Sequence, residues 1–231
     1  MIIDLTYNEI KRVKNDLREF DNYLYSLAMK KGVDISENDI SFFNFIGKRI
    51  IFFKYFKSGS SEKSLEHFCK VIISDLYNLL LSILDEKYRY VYLNERSIIE
   101  NYCRLILNRT IENDHITSSL FESLKEIVFE EFNQDEYSLL KSEYTTACEF
   151  VHGGEVISNS LMFVLEEYES YSWSKKEKNE YYDRIRRIFK FLEKLLVSQY
   201  TDYVDGCFLR RKSLLEFLLN KDILDIIFQN R

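Results

Sequence analysis

The chain has 231 residues, no proline and only six glycines, and this shortage of turn-forming residues disfavours a β-sandwich or barrel. Hydrophobic residues make up 46% of the chain and charged residues 30%, which indicates a folded chain and argues against disorder. The net charge of −6 argues against general duplex DNA binding, because such surfaces are usually basic. We therefore predict an all-α protein that forms a single domain over residues 1–231.

The sequence shows no membrane span and no signal peptide. Its longest apolar runs, such as residues 50–53 and 79–81, are far below the roughly 20 residues that a spanning helix needs. The four cysteines are widely spaced, without a C-x-x-C motif: Cys69, Cys103, Cys148 and Cys207. We expect a cytoplasmic protein with reduced cysteines, no membrane association, no disulfide framework and no zinc site.

Helix start and stop signals are frequent along the chain. Capping-box patterns at residues 6–9 and 174–177 predict two helix starts, and the polar segment 36–39 predicts a third. Gly32 predicts the end of the first helix. Residues 42–56 are apolar on most sides, so we expect the second helix to be central. The predicted helices cover about residues 6–31, 36–57, 61–85, 94–108, 117–132, 135–152, 156–171 and 174–200, followed by one or two short ones within 209–219 and 222–229.

Two connections complete the expected bundle of about eight or nine helices. Residues 87–93 alternate between aromatic and other side chains, and we interpret them as an extended connection before a helix that Asn94 caps. Asp205 and Gly206 are expected to break the chain after the long helix. No repeat, low-complexity segment or flexible linker interrupts the chain, which favours one continuous domain.

Common catalytic motifs are absent from the sequence. It contains no P-loop, no G-x-G-x-x-G, no H-E-x-x-H and no G-x-S-x-G, which argues against the commonest nucleotide-binding, zincin and hydrolase classes. We therefore predict no cofactor and no metal site. Any catalysis by an imidazole must use His67, His115 or His152.

The first candidate segment is a charged stripe on the predicted fourth helix. Arg96, Glu100 and Arg104 are spaced four apart, so they stack along one side of a helix, beside a wide apolar arc. Charges at the edge of a buried face must pair. The stripe is either an internal ion bridge from Glu100 to both arginines or a preorganised polar site.

The second candidate segment is the end of the predicted sixth helix. His152 follows Tyr144 and Cys148 at intervals of four and falls in the last turn. One interpretation is structural, because an imidazolium is favoured at a helix C-terminus. The other places His152 opposite the Arg96–Glu100 stripe, where it could act as a general base near a phosphate group.

Together the two segments resemble the HEPN superfamily, over about residues 76–165. The resemblance rests on the Arg-x-x-x-Glu helix and on a later helix that ends in an apolar residue, His152 and Gly153. It implies an α-helical protein of bacterial defence, abortive-infection or toxin–antitoxin systems. Many members are metal-independent endoribonucleases that act as dimers. For this chain the resemblance implies RNA as substrate, His152 as base, Arg96 and Arg104 as phosphate ligands, and Glu100 as the residue that orients them.

The usual HEPN signature, an Arg followed a few residues later by His, is not found at His152. The position five residues before it is Ala147. Arg109 and His115 do have the spacing, across an expected helix end, and are the reserve pair. The second hypothesis is therefore a non-catalytic helical adaptor or regulatory subunit that binds a protein partner or forms a homodimer.

Two basic clusters allow two interpretations. One lies on the long helix, from Arg184 to Lys194, and the other is Arg210 to Lys212. Acidic residues are interspersed with the basic ones, which favours a solvated face. The alternative is contact with an RNA backbone.

Overall fold

The computed structural model describes residues 2–59, 61–111, 119–126, 132–152 and 172–229. Within these ranges the chain forms ten helices and no β-strand, which confirms the all-α prediction. The helices are α1 (Ile2–Lys31), α2 (Glu37–Ser58), α3 (Lys63–Leu84), α4 (Tyr88–Ile106), α5 (Ser119–Glu126), α6 (Gln134–His152), α7 (Lys175–Gln199), α8 (Thr201–Cys207), α9 (Lys212–Leu219) and α10 (Lys221–Gln229).

The helix count in the described part of the chain exceeds the expected eight or nine. The expected break at Asp205 and Gly206 lies inside α8, so that prediction is wrong. Gly206 costs little there because α8 is a short helix of seven residues whose end it approaches. The predicted helix over residues 156–171, the predicted stop at Gly153 and the start at residues 117–118 lie outside the described residues.

Serine caps begin two helices at the predicted positions. Ser36 Oγ accepts a hydrogen bond from the Asp39 backbone N–H at 3.3 Å, and the Asp39 carboxylate accepts one from the Ser36 N–H at 2.7 Å. Ser174 and Glu177 form the same pair at the start of α7. Each box satisfies two backbone donors that have no partner in the helix. A third start at Thr6 is a wrong prediction, because α1 begins upstream of it and continues through it.

The start of α4 also differs from its prediction as an extended connection over residues 87–93. The helix begins at Tyr88. In an extended segment Tyr88, Tyr90 and Tyr92 would share one face and be buried together. Tyr88 and Tyr92 are buried, but Tyr90 is 55% exposed. Burial four residues apart is the spacing of one helical face. Asn94 lies inside the helix, where its side-chain amide donates to the Tyr90 carbonyl at 2.7 Å and caps nothing.

The core of the fold is built around α2, as its apolar composition predicts. Its buried side chains cover a wide face of the helix. They are Phe42, Phe43, Ile46, Ile50, Phe52, Phe53 and Phe56. Helices α1, α3, α7 and α9 pack against it. A buried ion pair joins α2 to α7, with Arg49 Nε 2.7 Å from Glu193 Oε1.

By length and composition alone, α3 is the one described helix apolar enough to cross a membrane, with a mean hydropathy of 1.4 over 18 residues. It is also a core helix, packed between α2 and α4. Leu76, Leu79 and Leu80 are among the residues that it buries there. A helix enclosed on two sides by others is expected to be this apolar.

The arrangement of α4 and α6 sets the position of the candidate site. The Tyr92 and Phe150 rings stack with centroids 4.0 Å apart. Arg89 Nη2 donates to the Val151 carbonyl at 2.9 Å, which satisfies one carbonyl left open in the last turn of α6. Because residues early in α4 contact residues late in α6, the two helices run antiparallel and His152 lies beside the first half of α4.

Candidate functional site

The charged stripe of α4 has the geometry that its spacing predicts. Arg96 Nε donates to Glu100 Oε1 at 2.8 Å, and Arg104 Nη2 lies 3.9 Å from Glu100 Oε2. The Arg96 side chain is 25% exposed, whereas those of Glu100 and Arg104 are 8% and 10% exposed. One carboxylate therefore faces two guanidiniums, one of which reaches the surface.

Helix α6 brings two side chains to the same carboxylate and its arginine. The Tyr144 hydroxyl donates to Glu100 Oε1 at 2.7 Å. His152 Nε2 lies 3.1 Å from Arg96 Nη1, and His152 is exposed to solvent. The two segments that carry the sequence hypothesis thus meet across the α4–α6 interface, within hydrogen-bond reach.

The contact with Arg96 favours one tautomer of the His152 ring. A guanidinium has only donors, so a hydrogen bond at this contact requires Nε2 to accept from Arg96 and the proton of a neutral ring to lie on Nδ1. Nε2 is therefore the basic nitrogen, and it faces the one cation of the stripe that reaches the surface. A general base beside a phosphate requires this orientation of the two groups.

Hydrogen bonding and burial keep the neighbours of His152 in defined charge states. The hydrogen bond to Glu100 raises the pKa of Arg96, so this guanidinium stays protonated. Burial and the Glu100 carboxylate raise the pKa of the Tyr144 hydroxyl, so it remains a neutral donor. The site thus combines a permanent cation, a shielded carboxylate and an exposed imidazole.

The structure places Arg104 differently from the other three predicted site residues. Its Nη1 donates to Asn101 Oδ1 at 2.9 Å, and its guanidinium carbon lies 5.8 Å from the centroid of the Phe68 ring on α3. It therefore approaches Glu100 from the side of α3, whereas Tyr144 approaches from α6. We conclude that Arg104 pairs with Glu100 from the buried side and that, of the two stripe arginines, Arg96 is the one that reaches the surface.

The reserve pair can be described only in part. Arg109 is half-buried, and its Nη2 lies 3.4 Å from Ser123 Oγ on α5. His115 lies outside the described residues. Arg109 thus has a structural partner in the neighbouring helix.

A second group of polar side chains lies between α4, α6 and α7, and sequence reasoning missed it. Glu95 on α4 has no exposed surface, and Glu143 on α6 is 7% exposed. Arg184 Nε on α7 lies 2.7 Å from Glu143 Oε1. One signal was available, because Glu95 falls in register with the buried Tyr92 and Ile99, where an apolar residue is expected.

The basic clusters are largely neutralised by ion pairs. On α7, Arg186 pairs with Asp183 at 3.1 Å, and Arg187 pairs with Glu136 of α6 at 3.2 Å. In the second cluster, Arg211 pairs with Glu9 at 2.8 Å. These contacts favour the solvated, ion-paired face over an RNA-backbone surface.

In the described ranges no group of three or more His, Cys, Asp or Glu side chains is placed to hold a metal ion. All four cysteines are free thiols, of which Cys69 and Cys103 are buried. Comparison of the chain with protein-family models, with curated proteins and with solved structures finds no match.

Proposed function

We propose that the chain is a HEPN-like endoribonuclease whose site is formed by Arg96 and His152. One observation carries the proposal, the 3.1 Å contact between Arg96 Nη1 and the exposed His152 Nε2. The two residues are 56 positions apart and come from different helices. A base and a permanent cation side by side at the surface are the two groups that cleavage of an RNA phosphodiester needs.

The chemistry follows from the two side chains. His152 Nε2 takes the proton of a ribose 2′-hydroxyl, whose oxygen then attacks the adjacent phosphorus. The bond from phosphorus to the 5′-oxygen breaks, and that oxygen takes a proton from solvent water as it leaves. The protonated His152 then releases its proton to solvent. Arg96 donates to a non-bridging oxygen and stabilises the charge that develops in the transition state. The products are a 2′,3′-cyclic phosphate and a 5′-hydroxyl.

Glu100 and Tyr144 act as positioning residues. Glu100 Oε1 accepts from both Arg96 Nε and the Tyr144 hydroxyl, so the guanidinium is held by one edge. Its Nη1 edge faces His152. A ligand oxygen that binds this edge replaces the His152 contact and leaves Nε2 available as the base.

The biological setting is proposed on the HEPN resemblance. It suggests an effector of a prokaryotic defence or toxin–antitoxin system that acts in the cytoplasm on RNA. It also suggests a homodimer or a complex with a protein partner that controls the activity.

A cleavage assay tests the proposal with a matched control. Purified full chain, its His152→Ala variant and its His67→Ala variant are incubated with labelled total RNA. His67 is an exposed histidine on α3, remote from α6 in the chain. We expect wild type and His67→Ala to cleave RNA and His152→Ala to be slower by about 10²–10⁴-fold. Equal cleavage by all three proteins would show that the activity is not that of His152.

The second candidate function is the non-catalytic adaptor. Its supporting observation is that Arg96, Glu100 and Tyr144 already satisfy one another by hydrogen bonds, as a structural network would. The exposed aromatic and methionine side chains of α1 offer apolar surface for a protein partner. They are Tyr23, Tyr25 and Met29. Intact RNA after incubation with wild type, both alone and together with the products of neighbouring genes, favours this function.

A further inference from the structure

Glu95 is an unusual glutamate, because its carboxyl group is enclosed on all sides. Its exposed fraction is 0%. Among the described residues neither of its carboxyl oxygens has a hydrogen-bond partner. The Tyr181 hydroxyl is close enough to influence the carboxyl group, but it too lacks a partner with hydrogen-bond geometry in this part of the chain. An ionised carboxylate in such a place would be very unfavourable.

The titratable groups that act on Glu95 come from α6 and α7. From α6, Glu143 contributes a second carboxylate, and from α7, Arg184 and Tyr181 contribute a guanidinium and a hydroxyl. Arg184 is already ion-paired with Glu143 at 2.7 Å. Glu95 therefore faces a guanidinium that is already paired with another carboxylate, and that carboxylate would repel an ionised Glu95. On α3, the titratable Asp75 is engaged instead by Ser97.

We propose that Glu95 is a proton-dependent latch between α4 and α6: it keeps the helices packed while it carries its proton, and it drives them apart when it ionises. The neutral acid tolerates burial beside Glu143. The ionised form repels the Glu143 carboxylate and demands water, and both effects act at the α4–α6 contact.

The direction of the pH effect follows from the environment of Glu95. Burial, reinforced by the negative charge of Glu143, raises the pKa of Glu95 well above its ordinary value, with Tyr181 and Arg184 acting in the opposite sense. In the unfolded chain Glu95 ionises near its ordinary pKa of 4.5, whereas in the folded protein it keeps its proton to a higher pH. The unfolded state thus binds fewer protons, and stability falls as pH rises until the folded pKa is passed.

The latch has a consequence for the candidate site, although it does not depend on the proposed function. Glu95 and Arg96 are neighbours on α4, and Glu143 and Tyr144 are neighbours on α6. Loosening α6 at Glu143 therefore strains the Tyr144–Glu100 hydrogen bond one residue away. High pH should open the site by separating its two helices.

Urea unfolding of the full chain between about pH 5 and about pH 8 tests the latch. The wild type is compared with Glu95→Gln, which keeps the shape of the side chain and cannot ionise. Glu149→Gln, a neutralisation at an exposed position of α6, is the matched control. We expect the ratio of wild-type to Glu95→Gln unfolding constants to rise by up to about tenfold per pH unit. The ratio of wild type to Glu149→Gln should stay nearly constant.

Hydrogen exchange measured on the same proteins locates the effect. Once corrected for the intrinsic pH dependence of exchange, amides of α6 should lose protection in wild type as pH rises and keep it in Glu95→Gln. Parallel pH profiles for wild type and Glu95→Gln would overturn the proposal, and so would a loss of protection spread evenly over all helices. If Glu95→Gln does not fold, carboxyl ¹³C titration of Glu95 in wild type decides, because an ordinary glutamate midpoint would also overturn the proposal.

Discussion

Breaking the buried ion pair between α2 and α7 should be one of the most damaging single changes in this protein. Arg49 Nε lies 2.7 Å from Glu193 Oε1, and Arg49 Nη2 lies 3.0 Å from Glu193 Oε2, so the pairing is bidentate. The two side chains are 4% and 0% exposed. The Arg49 guanidinium also stacks 3.5 Å from the centroid of the Phe45 ring. The substitution Arg49→Met removes the charge and keeps most of the apolar stem.

The expected loss can be worked from this geometry. Removing one partner of a buried pair costs about 3–5 kcal/mol, because the other is left enclosed without compensation. With an m-value of about 3 kcal/mol/M, the urea midpoint should fall by about 1–2 M. Burial already raises the pKa of Glu193, and Arg49 opposes that rise. In Arg49→Met the pKa of Glu193 should therefore rise further, so the variant should lose additional stability as pH rises above the ordinary glutamate pKa.

Equilibrium urea denaturation followed by circular dichroism measures the loss. The double variant Arg49→Met/Glu193→Leu is the control, because apolar replacement of both partners is often neutral or stabilising. It should recover most of the stability that Arg49→Met loses. A cost below about 1 kcal/mol for the single change would refute the reasoning, because the pair would then behave like one at the surface.

Two further substitutions test the packing and the site network. Gly59→Ala places a Cβ 2.5 Å from Cys207 Sγ and 3.0 Å from the Tyr203 hydroxyl. It should lower the free energy of unfolding by about 1–3 kcal/mol in thermal denaturation. Adding Cys207→Ala should restore most of this loss. An unchanged stability of Gly59→Ala would show that α8 can shift to accommodate the methyl group at no cost. Tyr144→Phe removes the 2.7 Å hydrogen bond to Glu100 and should cost about 1.5–3 kcal/mol by the same assay, whereas an unchanged stability would contradict its role in holding the α4–α6 contact.

The sequence predicts local features of this protein well where a short-range rule applies. The serine caps at Ser36 and Ser174 and the stacking of Arg96 on Glu100 are all decided within four residues. The prediction for the start of α4 was wrong because no short-range rule decides it. A few residues around Tyr90 fit both a strand and a helix, and only burial against other helices distinguishes the two.

The candidate site could be predicted only in part, because its two halves are distant in the chain. The sequence places His152 at a helix end, but the Arg96 contact depends on how α4 and α6 cross. Arg104 has the same spacing from Glu100 as Arg96, yet the packing of α3 and α4 decides that it faces inward.

Buried carboxylates were the hardest features to predict. Glutamate in a helix is ordinarily exposed. The partner of Glu193 is Arg49, which lies 144 residues away. Glu95 has no hydrogen-bonded partner among the described residues to mark it. Only its register with apolar neighbours on α4 distinguishes it from a surface glutamate.

The claim that Arg96 and His152 form one site is tested most directly by a double-mutant cycle on RNA cleavage. Rates are measured for wild type, Arg96→Ala, His152→Ala and the double variant, with folding of each checked by circular dichroism. Residues that act as a unit are strongly non-additive. The proposal predicts that the double variant is about as slow as the slower single variant. Losses that multiply, or cleavage that survives in the double variant, would contradict it.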